Sequence, residues 1–112
     1  MKSQTAVARL AALAQESRLA IFRLLVQKGP EGVCVGDIQT KLHLAPATLS
    51  FHLKELSNAG LLKARQEGRF IYYAPDFSVM NALLDYLTEN CCGGESCKVE
   101  CAPSTRYKEK AA

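Results

Sequence analysis

The sequence has no hydrophobic segment long enough to cross a lipid bilayer. Its apolar runs, such as Leu19 to Phe22 and Phe70 to Ala74, are short, whereas a membrane-spanning helix needs about 20 apolar residues. The N-terminal stretch Met1 to Gln4 also lacks the apolar centre of a secretory signal. We therefore expect a cytoplasmic protein that has no membrane partner.

The chain also lacks the residue patterns of common small enzymes. Its histidines are His43 and His52, and no Cys-x-x-Cys opens a helix after a strand, so neither a Ser/His/Asp arrangement nor a thiol reductase motif is present. The length of 112 residues suits one modest domain. Its 48% hydrophobic and 22% charged residues are typical of an ordinary globular protein. We expect no enzymatic activity and no catalytic cofactor.

Charges and cysteines are unevenly distributed, although the net charge is only +3. Residues 41–70 contain five Lys and Arg against two Glu, whereas residues 76–97 contain four acidic residues and no Lys or Arg. Four of the five cysteines lie within residues 91–101. An odd cysteine count without a secretion signal disfavours a disulfide framework. We expect reduced thiols that bind a soft ligand or respond to oxidation.

Hydrophobic periodicity predicts five helices and one β-hairpin. The helices are expected at about residues 5–14, 18–26, 35–42, 46–58 and 76–90, with Gly60 as the left-handed cap of the fourth helix. Strand-like segments at 61–65 and 70–74 flank Gly68, which we expect to have a positive φ in the turn. Two short helices, a tight turn between them and a following hairpin predict a mainly α fold with a β-hairpin wing, a winged helix-turn-helix.

The fourth helix and the hairpin carry candidate DNA contacts. Leucines on one side of the helix leave an outward face that can enter the major groove. Phe51 can contact a thymine methyl group or pack under the hairpin, and His52 can donate to phosphate or belong to the core. The basic hairpin residues can contact the DNA backbone or the minor groove, or can remain solvated. The candidate contacts are Ala47, Thr48, Ser50, Phe51, His52, Lys54, Lys63, Arg65 and Arg69.

From about Leu13 to Tyr73, the sequence resembles the ArsR/SmtB family of metal- and metalloid-sensing repressors. The stretch from Thr48 to Leu62 resembles the family's recognition helix, and Gln66 to Tyr73 resembles its wing. This resemblance implies a homodimer formed by the first and last helices, which binds double-stranded operator DNA at an imperfect inverted repeat and leaves it when an inducer binds. It implies a DNA-binding and dimerisation domain at residues 1–90. Residues 91–112 would form a cysteine-containing inducer-binding segment and a disordered tail.

Two of the family's inducer sites are incomplete in this sequence. The arsenic site on the third helix uses Cys-Val-Cys before an Asp, but here Cys34-Val35 is followed by Gly36 and Asp37. The zinc site on the last helix uses histidine, and residues 76–90 contain none. The remaining group resembles the C-terminal cysteine sites of some arsenic-responsive members. It consists of Cys91, Cys92, Cys97 and Cys101.

The cysteine group suits a three-coordinate soft ion, because thiolates are selective for such ions. Cys91 and Cys92 supply two sulfurs, and the following glycines let the chain fold back so that Cys97 or Cys101 supplies the third. Structural zinc is disfavoured because no Cys-x2-Cys pair is present. Cys34 is expected to be a small buried residue.

We expect As(III), or Sb(III), as the inducer. The alternatives are another soft metal such as cadmium, lead or copper(I), thiol redox sensing, and a tail without function. A protein-interaction module of the same fold is a further alternative. Sequence-selective DNA binding that is abolished by a thiophile would exclude it.

Overall fold

The computed structural model describes residues 1–94, so Cys97, Cys101 and the predicted disordered tail lie outside the described residues. In this part, no helix is long and apolar enough to cross a membrane. The elements in chain order are α1 Ser3–Leu13, α2 Glu16–Lys28, β1 Val33–Cys34, α3 Val35–Leu42, α4 Pro46–Asn58, β2 Leu62–Glu67, β3 Phe70–Pro75 and α5 Phe77–Leu87, followed by a 3-10 turn at Cys91–Gly94.

The core lies where α2, α3 and α4 pack together. The helical periodicity of the sequence predicts an inward leucine face on α4, and this is confirmed: Leu49 and Leu56 are fully buried and Leu53 is 4% exposed. They pack with Ile21, Leu25 and Ile38, which are also fully buried. The predicted winged helix-turn-helix is therefore the observed fold, with α3 and α4 as the helix-turn-helix and β2 and β3 as the wing.

The sheet has three antiparallel strands in the order β1-β3-β2. The predicted hairpin and the positive φ of Gly68 are confirmed, but the sequence does not predict β1. This strand is only two residues long, with Val33 opposite Tyr73, and so short a segment cannot show alternation. Gly32 allows this close approach, since its φ is +87° and a Cβ there would lie 2.9 Å from the Tyr73 carbonyl oxygen.

The last helix is shorter than predicted. It ends at Leu87 rather than Asn90, with Thr88 as its C-cap. The Thr88 backbone N–H still makes the helical bond to the Leu84 carbonyl at 3.2 Å, whereas the Glu89 N–H bonds to the Tyr86 carbonyl at 3.3 Å, three residues back. Asn90 then takes a left-handed conformation with φ of 58°. Cys91 therefore follows a short turn and is not directly continuous with α5.

An apolar surface spans α1 and α5, which pack against each other. The inward side of α1 contains Ala6, which is 3% exposed. Large apolar side chains on the outer sides of α1 and α5 are exposed in the single protomer. Monomeric proteins rarely expose large apolar side chains next to one another. These side chains are Val7 at 61%, Leu10 at 40%, Leu84 at 52% and Leu87 at 55% exposed.

Asp76 forms the N-cap of α5. Its carboxylate accepts hydrogen bonds from the Ser78 hydroxyl at 2.8 Å and from the Val79 backbone N–H at 3.3 Å. The Ser78 hydrogen bond is the main cause of a lowered Asp76 pKa, and the charge of Lys63 acts in the same direction. The charged form of this carboxyl is therefore the one that stabilises the helix end.

We predict that Asp76→Ala lowers the free energy of unfolding by about 0.5 to 2 kcal/mol at neutral pH, the usual cost of losing an N-cap. Because the pKa is lower in the folded state, the charge adds stability above an unfolded pKa of about 4, and this is lost as pH falls through the folded value. Urea unfolding should show a difference between wild type and Asp76→Asn at pH 7 that diminishes as the pH falls below the unfolded pKa and vanishes once the carboxyl is protonated in the folded state. A pH-independent difference would contradict this account.

Candidate nucleic-acid interface

The outward side of α4 carries most of the predicted DNA contacts. Pro46 occupies the first turn of this helix, where a missing backbone N–H costs nothing. With the leucines turned inward, the side chains of the opposite face point to solvent. Phe51 is 55% exposed, so the alternative in which it packs under the wing is wrong. The other exposed candidates on the helix are Ala47, Thr48, Ser50 and Lys54.

His52 lies between the two faces of α4. It is only 7% exposed, and its Nδ1 is buried without a hydrogen-bond partner among residues 1–94. Its ring centroid is 5.6 Å from that of Phe51, with the planes tilted by 60°. The imidazole is thus mainly a core side chain, but its hydrogen-bonding capacity is not fully satisfied there.

A cleft separates α4 from the wing. This cavity has a volume of about 530 Å³ and is lined by Ser50, Lys54 and Ser57 of α4 and by Arg69 and Phe70 of the wing. The cationic side chains of the helix and the wing therefore border the same opening. Within residues 1–94, neither Lys54 nor Arg69 forms a salt bridge. Two cations across a cleft are suited to a phosphate backbone passing between them.

Arg65 differs from the other wing cations because its guanidinium forms hydrogen bonds within the protein. Its Nε donates to a carboxylate oxygen of Glu67 at 2.9 Å and its Nη1 donates to the Glu31 carbonyl at 2.9 Å. The guanidinium also lies 4.7 Å from the ring centroid of Tyr72, which is the geometry of a cation–π contact. These contacts connect the wing to the loop that precedes β1. Lys63 is exposed on the same strand.

Several residues that line the cleft are not among the sequence candidates, and Ser57, Phe70 and Cys34 are three of them. Ser57 was detectable, because it follows Ser50 and Lys54 at the helical spacing of one face. The sequence predicts Phe70 only as a strand residue, although it is 60% exposed. Cys34 lies in β1 and is half-buried at the cleft, so the prediction that it is a buried core residue is wrong. It reaches the cleft because β1 pairs with the wing.

The first two cysteines of the predicted inducer segment lie close together. The Sγ atoms of Cys91 and Cys92 are 3.7 Å apart, and an ion with sulfur bonds of about 2.3 Å can hold two sulfurs up to about 4.6 Å apart. Cys92 is disulfide-bonded in this structure, in contrast to the expected reduced thiol. Among residues 1–94, no three His, Cys, Asp or Glu side chains are grouped closely enough to hold a metal ion. The predicted third ligand, Cys97 or Cys101, lies outside this range.

Comparison with known proteins identifies relatives over most of the chain. Residues 13–65 match a helix-turn-helix domain family. The arsenical resistance operon repressor of Bacillus subtilis is 36% identical over 81 residues, which cover 72% of this chain and 73% of that protein. The transcriptional activator HlyU of Vibrio cholerae is 32% identical over 85 residues, which cover 76% of each chain.

Solved structures share the same fold. The HlyU structure superposes with a TM-score of 0.65 over 82% of this chain and 99% of that chain. A homodimeric winged helix-turn-helix DNA-binding domain of Mycobacterium bovis, a possible ArsR-family regulator, is 29% identical with a TM-score of 0.61, over 83% and 86% of the two chains. The chain belongs to the ArsR/SmtB family of DNA-binding winged helix-turn-helix transcriptional regulators.

Proposed function

We propose that this regulator is a homodimeric repressor that binds operator DNA through α4 and the wing, and that it releases the DNA when As(III) binds cysteines near its C-terminus. The observation that carries the DNA-binding part is the cleft, because α4 and the wing place cations on both sides of it. With α4 in the major groove, the adjoining sugar-phosphate backbone would pass along this opening, between Lys54 and Arg69.

Dimerisation is supported by the apolar surface of α1 and α5. A second copy that covers Val7, Leu10, Leu84 and Leu87 would remove these side chains from water, a favourable change of about 25 cal/mol per Å² of buried apolar area. A two-fold dimer would then present two α4 helices to half-sites about 34 to 36 Å apart. An imperfect inverted repeat in the operator is the DNA counterpart of this symmetry. Double-stranded operator DNA and a second subunit are thus the proposed partners.

The identity of the inducer is supported by three observations: the proximity of the Cys91 and Cys92 sulfurs, the additional cysteines in residues 95–101, and the arsenical resistance repressor among the relatives. Trivalent arsenic exchanges its hydroxyls for thiolates, so Cys92 takes part in its reduced form. Sb(III) has the same coordination preference. Residues 91–112 are proposed as the inducer-binding segment and residues 1–90 as the domain that binds DNA and dimerises.

Release requires that arsenic binds more tightly to a subunit arrangement with the wrong spacing of the two α4 helices. DNA and arsenic then compete through one equilibrium, and each weakens the other by the same factor. A shift from 99% to 1% occupancy needs a differential of about 5.5 kcal/mol. Several sulfur bonds formed better in one arrangement can supply it.

We predict that Lys54→Ala and Arg69→Ala each make the slope of log affinity against log salt less steep. The expected change is about 0.9 for each phosphate that is no longer neutralised, and the phosphates lost in both subunits are added together. Arg65→Ala is the comparison variant. Because its guanidinium is bound within the protein, we expect a smaller slope change there, together with a lower melting temperature. The measurement is fluorescence anisotropy of a labelled operator from 50 to 300 mM salt, about the range where such slopes are resolved. Unchanged slopes for Lys54→Ala and Arg69→Ala would exclude the proposed interface.

Replacing Phe51 tests whether this exposed ring recognises a base. We predict that Phe51→Ala keeps the salt slope and the melting temperature but weakens discrimination at one base pair by about 1 to 3 kcal/mol, as expected when the ring no longer packs on a thymine methyl group. Binding to operators in which each thymine is replaced by uracil, which lacks the methyl group, would locate that position. A lower melting temperature with unchanged base preference would show that Phe51 acts in packing.

The inducer site is tested with serine variants. Cys91→Ser and Cys92→Ser proteins should bind operator tightly and stay bound when arsenite is added, whereas Cys34→Ser should release the DNA as the wild type does. Cys34→Ser is a stringent control because Cys34 lines the same cleft as Lys54 and Arg69. Anisotropy is followed during titration with arsenite, antimonite and cadmium, in a phosphine reductant that keeps thiols reduced without competing for arsenic.

Four outcomes would contradict this proposal. Release that persists in the double variant at Cys91 and Cys92, or that vanishes in Cys34→Ser, would place the inducer site elsewhere. Release by cadmium but not by arsenite would favour another soft metal. Release by an oxidant alone, without any metal or metalloid, would identify a redox-sensing regulator.

A further inference from the structure

The guanidinium of Arg9 connects α1 to the end of α4. Its Nε donates a hydrogen bond of 3.1 Å to the carbonyl oxygen of Ala59, fifty residues farther along the chain, in a partly buried setting. Ala59 is the C-cap of α4. A cation at this place interacts favourably with the negative end of the helix dipole. The bond thus joins two helices through one charged donor and one backbone acceptor.

Gly60 follows the C-cap of α4 and lies beside the Arg9 side chain. Gly60 has a φ of +82°, and a Cβ at this position would lie 3.4 Å from the Arg9 Nη2. The carbonyls of Glu55, Leu56 and Ser57 already have backbone donors, which are the N–H groups of Ala59, Leu61 and Gly60. Arg9 therefore supplies the partner that the backbone does not provide at the Ala59 carbonyl.

The opposite end of α4 is the end that carries the candidate base contacts. Its N-cap, Ala45, makes no side-chain hydrogen bond. A helix of 13 residues is about 20 Å long at 1.5 Å per residue. Because an α-helix moves as a rigid rod, a small tilt about the Ala59 end displaces Phe51 near the middle of the helix and displaces Thr48 near the other end even more.

The same α1 helix has a second face directed away from the protein. Arg9 and Ala6 lie on the inward side, whereas Val7 and Leu10 on the neighbouring side are exposed. A change in the position of α1 would therefore be passed to α4 through a partly buried hydrogen bond to a charged group.

We propose that Arg9 is a positioning residue, which holds α4 at the angle required for base-specific binding without touching the DNA itself. This inference rests on the family's DNA binding and not on the identity of the inducer. A displaced recognition helix no longer meets the base edges, whereas non-specific binding depends on phosphate neutralisation, which tolerates the displacement. The measurable signature is a loss of specificity at constant salt dependence.

The experiment compares the affinity of each variant for operator and for a scrambled duplex of equal length. Arg9→Gln should weaken operator binding by about tenfold or more, the equivalent of losing one charge-assisted hydrogen bond. Its affinity for scrambled DNA and its salt slope should stay unchanged. Arg9→Lys keeps the cation near Ala59 and should recover part of the operator affinity. Thermal melting of every variant, followed by circular dichroism, confirms that each one is folded at the assay temperature.

Arg18→Gln is the matched control. The Arg18 Nε donates to the Ala12 carbonyl at 2.6 Å in a partly buried setting. This bond joins α2 to the end of α1, and Arg18→Gln leaves the Arg9–Ala59 bond in place. This variant should lower the melting temperature without changing the ratio of operator to scrambled affinity. An unchanged ratio of operator to scrambled affinity in Arg9→Gln would show that Arg9 has a purely structural role. The same conclusion would follow if Arg18→Gln lowered this ratio equally at an equal decrease in melting temperature. An equal loss on both DNAs with a reduced salt slope would show a direct phosphate contact. Each of these results overturns the proposal.

Discussion

The burial of one leucine face of α4 determines the orientation of the candidate DNA contacts on this helix. Leu49, Leu53 and Leu56 pack against residues of α2 and α3 that are themselves fully buried. Truncating a buried leucine costs about 2 to 5 kcal/mol, a large part of the roughly 5 to 15 kcal/mol that is typical of whole domains. Rotating the helix about its axis would expose these leucines and bury Lys54. The core thereby fixes the interface, although no interface residue needs to contribute to stability.

The wing depends on this core through β1. Its two long strands alone would form a two-stranded hairpin, which is at most marginally stable in water. Pairing of Val33 with Tyr73 makes β3 the central strand and fixes it beside α3. Arg65 reinforces the same junction by binding the Glu31 carbonyl. The distance between Lys54 and Arg69 across the cleft is therefore set by backbone pairing on the far side of the wing.

The parts of the structure that the sequence predicts are those encoded locally. The inward face of α4 follows from periodicity, and the turns at Gly60 and Gly68 follow from the positive φ that glycine tolerates. The strand β1 depends on a partner about 40 residues away along the chain, and the end of α5 has no glycine or proline beside it to mark a stop. At the site, exposure follows from helical spacing. The unsatisfied Nδ1 of His52 and the internal contacts of Arg65 depend on residues that are distant in sequence.

The arrangement of helices makes α1 the element that connects the proposed inducer segment with the candidate DNA interface. On one side α1 packs against α5, from which residues 91–94 follow after a short turn, and on the other it reaches the end of α4 through Arg9. A ligand at the C-terminal segment can change DNA affinity only by favouring one of two arrangements of these packed helices. Closely packed helices shift between discrete positions because their side chains interdigitate. A response that is all or none therefore requires no continuous deformation of the core, only a displacement of α1 relative to α4.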